Sequence, residues 1–240
     1  IWQQVEFGSY AADLPVWREL AAAADGPVLE LGAGAGRVAL HLAEQGTNVI
    51  AVERDAGLAA QLEASATERG VPVTMVVADL GAPGELFPPG SPGLAIGPLH
   101  LIQILDGGSR PALLRRLAEV VAPGGRIALT VVDESTLLSA GTAARQILPD
   151  MREIDGWVYS SEPLWVQVGD DALTVRRLRE RVSPDGRMER TVRDEVLHRV
   201  SPDRLELEAE EAHLRPTGRR QISSGPNEAD STVVLLEVRP

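Results

Sequence analysis

Hydrophobic positions follow two different spacings along the first 132 residues. Short, mostly apolar runs alternate with segments in which apolar residues recur every three or four positions. The runs predict buried strands, and the longer segments predict amphipathic helices. This alternation indicates a parallel sheet with helices on both faces. The five predicted strands lie in PVLEL, NVIAVE, VTMVVADL, LAIGPLHLIQIL (a strand running into a short helix) and RIALTVVD.

The pattern changes near Gly156, where strand-like segments replace the alternation. WVYSSEPLWVQV, ALTVRRLRERV and RMERTVRDEVLHRV predict three antiparallel strands, and SPDG at 183–186 predicts a tight turn between the last two. SPDRLELEAEEAHL predicts a helix with Ser201 as its N-cap, followed by two closing strands. We expect one domain made of an N-terminal helical lid (1–25), a cofactor-binding core (26–155), an antiparallel insertion (156–200) and a closing segment (201–240).

Composition narrows the function classes. The 240 residues carry a net charge of −12, which disfavours nucleic acid as a partner. No apolar run reaches the roughly 18 residues of a membrane span, so we expect a cytoplasmic protein without a membrane partner. Cysteine is absent and all 23 basic residues are arginine, which excludes thiolate chemistry and lysine Schiff bases. We find no convincing set of metal ligands and predict no metal.

A glycine-rich turn follows the first predicted strand in VLELGAGAGRV, with glycine at 32, 34 and 36. The dinucleotide fingerprint G-x-G-x-x-G would need a glycine at position 37, which is Arg37. Glu30 precedes Gly32 by two residues, where a carboxylate would repel a pyrophosphate and attract a cationic ligand. The turn therefore favours a ligand that places a group other than a phosphate beside Glu30.

These residues resemble the first motif of the class I S-adenosylmethionine-dependent methyltransferases, acidic-x-G-x-G-x-G. The resemblance covers roughly residues 26–132 and continues in Glu53, which lies 21 residues after Gly32, in Asp79 after the third strand and in Pro-Gly-Gly at 123–125. It implies a Rossmann-like, doubly wound α/β fold. The expected sheet has seven mostly parallel strands with an antiparallel last strand, beside a small antiparallel insertion.

The same resemblance implies S-adenosylmethionine as the cofactor, with S-adenosylhomocysteine as its product. In that family an acidic residue at the position of Glu53 binds the ribose hydroxyls, and one at the position of Asp79 binds the adenine amino group. The cofactor-binding residues expected here are Tyr10, Glu30, Gly32, Gly34, Gly36, Glu53, Arg54, Asp79, Leu80 and Gly97.

The methyl acceptor is expected at the carboxyl ends of the strands, near GPLHLIQ at 97–103. His100 is the candidate general base, since imidazole titrates near neutrality, although a core or surface histidine is the plainer alternative. Gln103 is a candidate for binding substrate. The aromatic side chains of Trp17, Trp157 and Tyr159 could line an acceptor pocket or simply pack in the core.

The favoured function is methyl transfer to nitrogen or oxygen of a small organic acceptor, with the insertion as a lid or as the surface of a homodimer. IGPLH lacks the [DNS]-P-P-[YFW] motif of enzymes that methylate amino groups of DNA. Two alternatives stay open: a non-catalytic cofactor-binding protein on the same fold and, less favoured, a nicotinamide-dependent oxidoreductase. We expect the arginines of VRRLRERV to form a solvated, salt-bridged strand face rather than a site for an anionic acceptor.

Overall fold

Two β-sheets and a set of helices make up the chain. The computed structural model describes residues 1–82, 92–132, 149–223 and 230–239. The helices within these ranges are α1 (Trp2–Phe7), α2 (Leu14–Ala22), α3 (Arg37–Glu44), α4 (Ala56–Arg69), α5 (Leu101–Ile104), α6 (Ser109–Val120) and α7 (Pro202–Glu211). The strands are β1 (Val28–Leu31), β2 (Val49–Glu53), β3 (Val73–Val77), β4 (Leu94–Gly97), β5 (Arg126–Val132), β6 (Asp150–Ile154), β7 (Trp157–Val168), β8 (Ala172–Val182), β9 (Met188–His198), β10 (Leu214–Ile222) and β11 (Ser231–Val238).

The larger sheet has seven strands in the order β10-β11-β5-β4-β1-β2-β3. The five strands from β1 to β5 run parallel, and β11 pairs antiparallel with both β5 and β10. The predicted doubly wound sheet with an antiparallel last strand is therefore confirmed. The chain order reverses between β1 and β4, and a crevice for ligands forms at the carboxyl ends of strands at such a point.

Helices cover both faces of this sheet, which explains why its central strands are continuously apolar. On one face Leu113, Leu114 and Leu117 of α6 are fully buried, and on the other face Leu42 of α3 and Leu62 of α4 are fully buried. Each such side chain contributes about 1.5–3 kcal/mol by leaving water. The rigid sheet between these two layers fixes the positions of its strand ends.

Local capping follows the sequence expectations. Asp55 caps α4, since its Oδ1 accepts hydrogen bonds from the amides of Gly57 and Leu58, and Gly70 ends the helix in a left-handed conformation. The Ser201 hydroxyl accepts from the Arg204 amide at the start of α7. The predicted helix start at Ser201 is therefore confirmed.

The second sheet is antiparallel and has the order β6-β7-β8-β9. The sequence analysis placed three strands here, beginning near Gly156, whereas the sheet begins with β6 at Asp150. Asp155 and Gly156 form a two-residue hairpin between β6 and β7, both with positive φ, of 53° and 76°. A type I′ turn requires this, and Asp-Gly is a preferred sequence for it. Strand β6 was missed because DMREI is short and mostly polar.

Helix α1 joins the second sheet to the first. The side chain of Glu6 is only 3% exposed and accepts hydrogen bonds from Arg179 of β8, at 2.7 and 2.8 Å, and from the Ser161 hydroxyl of β7 at 2.6 Å. From the same helix, Gln3 Oε1 accepts from the amide of Ala35 in the glycine turn, at 3.1 Å. The N-terminal segment thus contacts both the glycine turn and the second sheet.

Candidate active site

The glycine turn connects β1 to α3 through three residues in the left-handed region. Gly32, Gly34 and Gly36 have φ of 64°, 57° and 92°. Any other residue type would pay about 1–2 kcal/mol at each of these positions, which explains the alternation of glycine. Neighbouring side chains also pack closely here: a Cβ on Gly34 would lie 1.8 Å from Gln3 Oε1 and one on Gly36 would lie 2.2 Å from Leu62 Cδ1, so either substitution would displace its neighbour.

Glu53, at the end of β2, holds this turn in place. Its Oε2 accepts a hydrogen bond from the Gly34 amide and its Oε1 accepts from the Asp55 amide, both at 2.9 Å. The side chain is buried, and it links the two loops that follow β1 and β2. The structure therefore places this predicted cofactor residue directly against the glycine turn, and its ribose contact stays a prediction.

Glu30 is a buried carboxyl in β1 beside the turn. It is 2% exposed, and its Oε2 has no hydrogen-bond partner among the described residues. Burial raises the pKa of the Glu30 carboxyl to about 8; the positive charge of Arg37 opposes this rise, and the negative charges of Asp13 and Glu53 add to it. Glu30 lines a cavity of about 380 Å³ together with Tyr10. A cation entering this cavity would favour the ionised form of the carboxyl.

Tyr10 is fixed beside the turn through Arg37. The Arg37 guanidinium binds both carboxylate oxygens of the buried Asp13 at 2.6 Å, donates to the carbonyl of Tyr10 at 3.0 Å and lies 5.2 Å from the centre of its ring. Trp17 donates from Nε1 to Asp13 at 2.8 Å and is fully buried. The predicted role of Trp17 in an acceptor pocket is therefore wrong, because its ring is enclosed in the core.

His100 lies in a second cavity, of about 580 Å³, which also includes Gly32 of the glycine turn. Its Nε2 is 2.9 Å from Oε1 of Glu195 on β9, and its ring centre is 5.4 Å from that of Phe7 on α1. The preceding residue, Leu99, has a φ of 56°, which is rare for leucine. Backbone strain of this kind occurs where the surrounding structure fixes a functional side chain.

Glu195 carries a negative charge toward His100. Burial alone would raise the pKa of the Glu195 carboxyl, but the hydrogen bond with His100 and the charges of His100, Arg177 and Arg179 outweigh it and hold the pKa below its ordinary value. The sequence analysis missed Glu195 because it lies 95 residues from His100 and nothing in its own strand marks it.

Three further predicted site residues lie in or against the core. Gln103 is fully buried; its Oε1 accepts from the Val132 amide at 2.8 Å and its Nε2 donates to the Val132 carbonyl at 3.4 Å, so its side chain is not available to a substrate. A Cβ on Gly97 would lie 2.8 Å from Leu129 Cδ2, so this glycine packs closely against the core. Leu80 is 7% exposed and belongs to the hydrophobic core. The cofactor contacts of Gly97 and Leu80 stay predictions.

The remaining predicted residues lie near the edges of the site. Arg54 and Asp79 are exposed, and Asp79 Oδ1 accepts from the Gly81 amide at 2.8 Å, which closes a turn after β3. The ring of Trp157 is half-buried under Arg181. Tyr159 is buried and meets Trp2 edge to face at 5.5 Å between ring centres. The ligand contacts of Arg54, Asp79, Trp157 and Tyr159 stay predictions.

In the described ranges no group of three or more histidine, cysteine, aspartate or glutamate side chains could hold a metal ion. Nor does any helix described here have the length and apolar character needed to span a membrane.

Comparison with protein families identifies the core. Residues 28–125, which include the glycine turn, match the family model described as a methyltransferase domain. The chain contains a methyltransferase domain. The match bears out the prediction of a methyltransferase domain in these residues, and together with the fold it supports S-adenosylmethionine as the cofactor. The oxidoreductase alternative has no support.

Solved methyltransferase structures share the fold over nearly the whole chain. The CcbJ methyltransferase from Streptomyces caelestis is 20% identical, with a TM-score of 0.67, and the match covers 96% of this chain and 97% of that one. The sugar N-methyltransferase KedS8 from Streptoalloteichus sp ATCC 53650 is 17% identical, with a TM-score of 0.71 and coverage of 99% and 90%. An S-adenosylmethionine-dependent methyltransferase from Clostridium acetobutylicum ATCC 824 is 12% identical, with a TM-score of 0.76 and coverage of 99% and 96%. Comparison with curated protein sequences found no match.

Proposed function

We propose that this methyltransferase transfers a methyl group from S-adenosylmethionine to an amine nitrogen of a small organic acceptor. The observation that carries the proposal is the His100–Glu195 pair, 2.9 Å apart, in the cavity that also includes Gly32. The similarity in fold to KedS8, a sugar N-methyltransferase, supports an amine as the methyl acceptor.

The residues around the glycine turn fit this cofactor. The Oε2 atom of Glu30 is buried and has no hydrogen-bond partner in the described part of the chain, which suits the positive end of the cofactor's methionine part. Each carboxylate oxygen of Glu53 accepts one backbone hydrogen bond and can accept another, which suits two ribose hydroxyls. When bound, the cofactor supplies an electrophilic methyl group on a sulfonium sulfur.

His100 and Glu195 serve the acceptor. An amine is protonated near neutral pH and must lose a proton before its lone pair can attack the methyl carbon. Since the ionised Glu195 can only accept, Nε2 of His100 carries the hydrogen between them and Nδ1 is left to take the proton. The carboxylate of Glu195 positions the ring and stabilises the imidazolium that results.

Helix α1 and the second sheet act as the lid over the reacting groups. Phe7 and Gln3 of α1 line the same cavity as His100, and Gln3 also contacts the glycine turn. A closed arrangement excludes water and aligns the nitrogen with the methyl carbon, which can lower the barrier by several kcal/mol.

The test is a methyl-transfer assay of the full chain on paired amines and alcohols of the same carbon skeleton. S-adenosylhomocysteine formation is measured and the methylated product is identified by mass spectrometry. We expect N-methylated products. The His100→Asn variant should lose about 100-fold or more in kcat, the scale of general base catalysis, while its affinity for S-adenosylhomocysteine stays unchanged.

The matched control is His213→Asn. His213 is exposed and has a φ of 63°, a conformation that asparagine adopts readily, so this variant should keep full activity. Products methylated only on oxygen would contradict the amine proposal. An unchanged kcat in His100→Asn would contradict the role of His100 as base.

A further inference from the structure

Arginine is concentrated on one face of the second sheet, here called the inner face because α1 packs against it. Arg177, Arg179 and Arg181 alternate along β8 on this face, and Arg193 of β9 lies directly opposite Arg177. The chain as a whole has a net charge of −12, so the inner face differs from the average surface of the protein.

The opposite face of the same sheet behaves as the sequence predicted. There Arg176 pairs with Asp194 at 2.6 Å, and Arg190 pairs with Glu180. These arginines are neutralised by cross-strand carboxylates and face solvent. The inner-face arginines of β8 are also salt-bridged, to Glu6, Asp150 and Glu189, but Arg177 and Arg179 are largely shielded from solvent. Arg193, which lies outside the predicted segment, differs from all of them.

The inner face encloses a cavity of about 250 Å³. Arg179, Arg181 and Arg193 line it together with the aromatic pair of Trp2 and Tyr159. Trp2 and Arg179 also line the larger cavity that contains His100, so the two cavities adjoin. A volume of this size equals that of roughly eight water molecules, which is enough for an anionic group and part of the skeleton that carries it.

The arginines of this cavity differ in how well their charges are matched. Arg179 binds Glu6 through two hydrogen bonds, and Arg181 pairs with Glu189 at 2.5 Å. The side chain of Arg193 forms no hydrogen bond or ion pair with any residue in the described ranges. Its cross-strand neighbour Arg177 is paired with Asp150 at 2.5 Å, so the side chain directly opposite supplies no negative charge to Arg193. An anion bound at Arg193 would supply the partner that this guanidinium lacks.

Strand β9 presents opposite charges at two successive positions of the inner face. Arg193 lines the smaller cavity, and Glu195, two residues on, bonds His100 in the larger one. Two residues of a strand span about 7 Å, so a ligand that reaches both sites must have several covalent bonds between its two charged groups. A molecule with an anionic group at one end and an ammonium group at the other complements this order of charges.

We infer that the acceptor is an anionic amine, whose carboxylate or phosphate group binds Arg193 while its nitrogen lies at His100. Arg181 lies on the same cavity wall, but its Nε and Nη2 already donate to Glu189. The guanidinium of Arg193 is therefore the one that binds the anion, and its planar fork suits the two oxygens of a carboxylate or phosphate. The inference rests on the proposed N-methylation and adds the class of acceptor to it.

The first test measures anion binding alone. The full chain is titrated calorimetrically with inorganic phosphate and, separately, with glutarate, at constant ionic strength in chloride. We expect Arg193→Gln to weaken binding of the preferred anion about 10- to 100-fold, the scale of a charge-assisted hydrogen bond, and Arg193→Lys to retain part of it. The matched control Arg190→Gln lies on the outer face of the same strand and should bind like the wild type. Equal binding by the wild type and Arg193→Gln would overturn the inference.

The second test uses activity on acceptor pairs that differ only in the anionic group. The pairs are 6-aminohexanoate with its amide, and glucosamine 1-phosphate with glucosamine, which separates the carboxylate from the phosphate. We expect the anionic member of one pair to be preferred, with Arg193→Gln raising its KM about 10- to 100-fold at unchanged kcat.

The two proposals fail differently. Efficient methylation of the neutral amines, with no effect of Arg193→Gln on any acceptor, would overturn the anionic acceptor and leave N-methylation standing. Loss of anion binding in Arg193→Gln without methylation of any amine would overturn N-methylation and leave the anion site supported.

Discussion

At the level of single residues, Glu30 is a carboxyl that folding removes from water, and no residue that the structure describes gives its Oε2 a hydrogen bond. Its raised pKa, about 8 against an ordinary 4.5, means that the folded chain holds a proton there at neutral pH. A buried group of this kind costs free energy in the ligand-free protein. A cationic ligand that pairs with the ionised form offsets this cost. Glu30 thus lowers the stability of the ligand-free protein and raises its affinity for such a ligand.

We predict that Glu30 makes stability fall as pH rises. Between pH 4.5 and 8 the folded state binds one more proton at this residue than the unfolded state. The contribution of Glu30 to the free energy of unfolding is therefore complete below pH 4.5 and is lost as pH rises through about 8. The slope is at most about 1.4 kcal/mol per pH unit. Urea unfolding measures this at pH 5.5 and at pH 8, which is the upper end of that pH range. The free energy of unfolding should fall less between these two pH values for Glu30→Gln than for the wild type. Equal falls would mean that Glu30 is already ionised in the folded chain.

At the level of elements, α1 has only six residues, too few to be stable as an isolated helix. Its position depends on tertiary contacts with the second sheet and with the glycine turn. Glu6 binds Arg179 of the second sheet, and Gln3 binds the amide of Ala35 in the glycine turn. These contacts explain how a short N-terminal helix can cover both the cofactor side and the acceptor side of the site.

We predict that Glu6→Ala loosens α1 and lowers the free energy of unfolding by on the order of 2 kcal/mol. Removing this carboxylate leaves the Arg179 guanidinium without its partner, although partial exposure of Arg179 moderates the cost. Amide hydrogen exchange at Val5, which donates to the Ile1 carbonyl, should become faster. The control is Glu19→Ala on α2, since the Glu19–Arg220 pair is exposed and is expected to contribute about 1 kcal/mol or less. Similar losses in the two variants would contradict the bridging role of α1.

At the level of the whole molecule, the site lies at the point where the strand order of the first sheet reverses. The second sheet lies next to this point, with Glu195 beside His100. The first sheet contributes the glycine turn, Glu30 and Glu53, and the second contributes Glu195 and Arg193. Cofactor and acceptor would thus be held by different sheets. A ligand held by the first sheet alone should stabilise the chain without an acceptor.

We predict that S-adenosylhomocysteine at 100 times its Kd raises the free energy of unfolding by about 2.7 kcal/mol, the result of mass action for a ligand that binds only the folded state. For a chain of this length the melting temperature should rise by about 5–10 °C. A thermal-shift measurement checks this, with NAD as the control that should leave the melting temperature unchanged. A shift with NAD and none with S-adenosylhomocysteine would contradict the assignment of the cofactor.

The sequence by itself determined the features that depend on near neighbours along the chain. The two hydrophobic spacings predicted the parallel sheet and its helices, and alternate glycines before α3 mark a turn in which only glycine is unstrained. Glu30 stands out because it precedes the turn by two residues, and Glu53 could be found through the resemblance to the methyltransferase motif, in which an acidic residue ends the second strand. Such signals depend only on residues near one another in the chain, so they can be recognised from the sequence alone.

Only the tertiary structure decided which distant side chains meet. Gln103 and His100 are three residues apart and equally plausible in the sequence, yet one bonds the backbone of Val132 and the other bonds Glu195. The arginines at 190 and 193 look alike in the strand, but the side of the sheet on which each lies leaves one paired with Glu180 and the other in a cavity beside Arg181. The physical reason is that strand pairing and helix packing set these contacts, and no local spacing encodes the register between segments far apart in the chain.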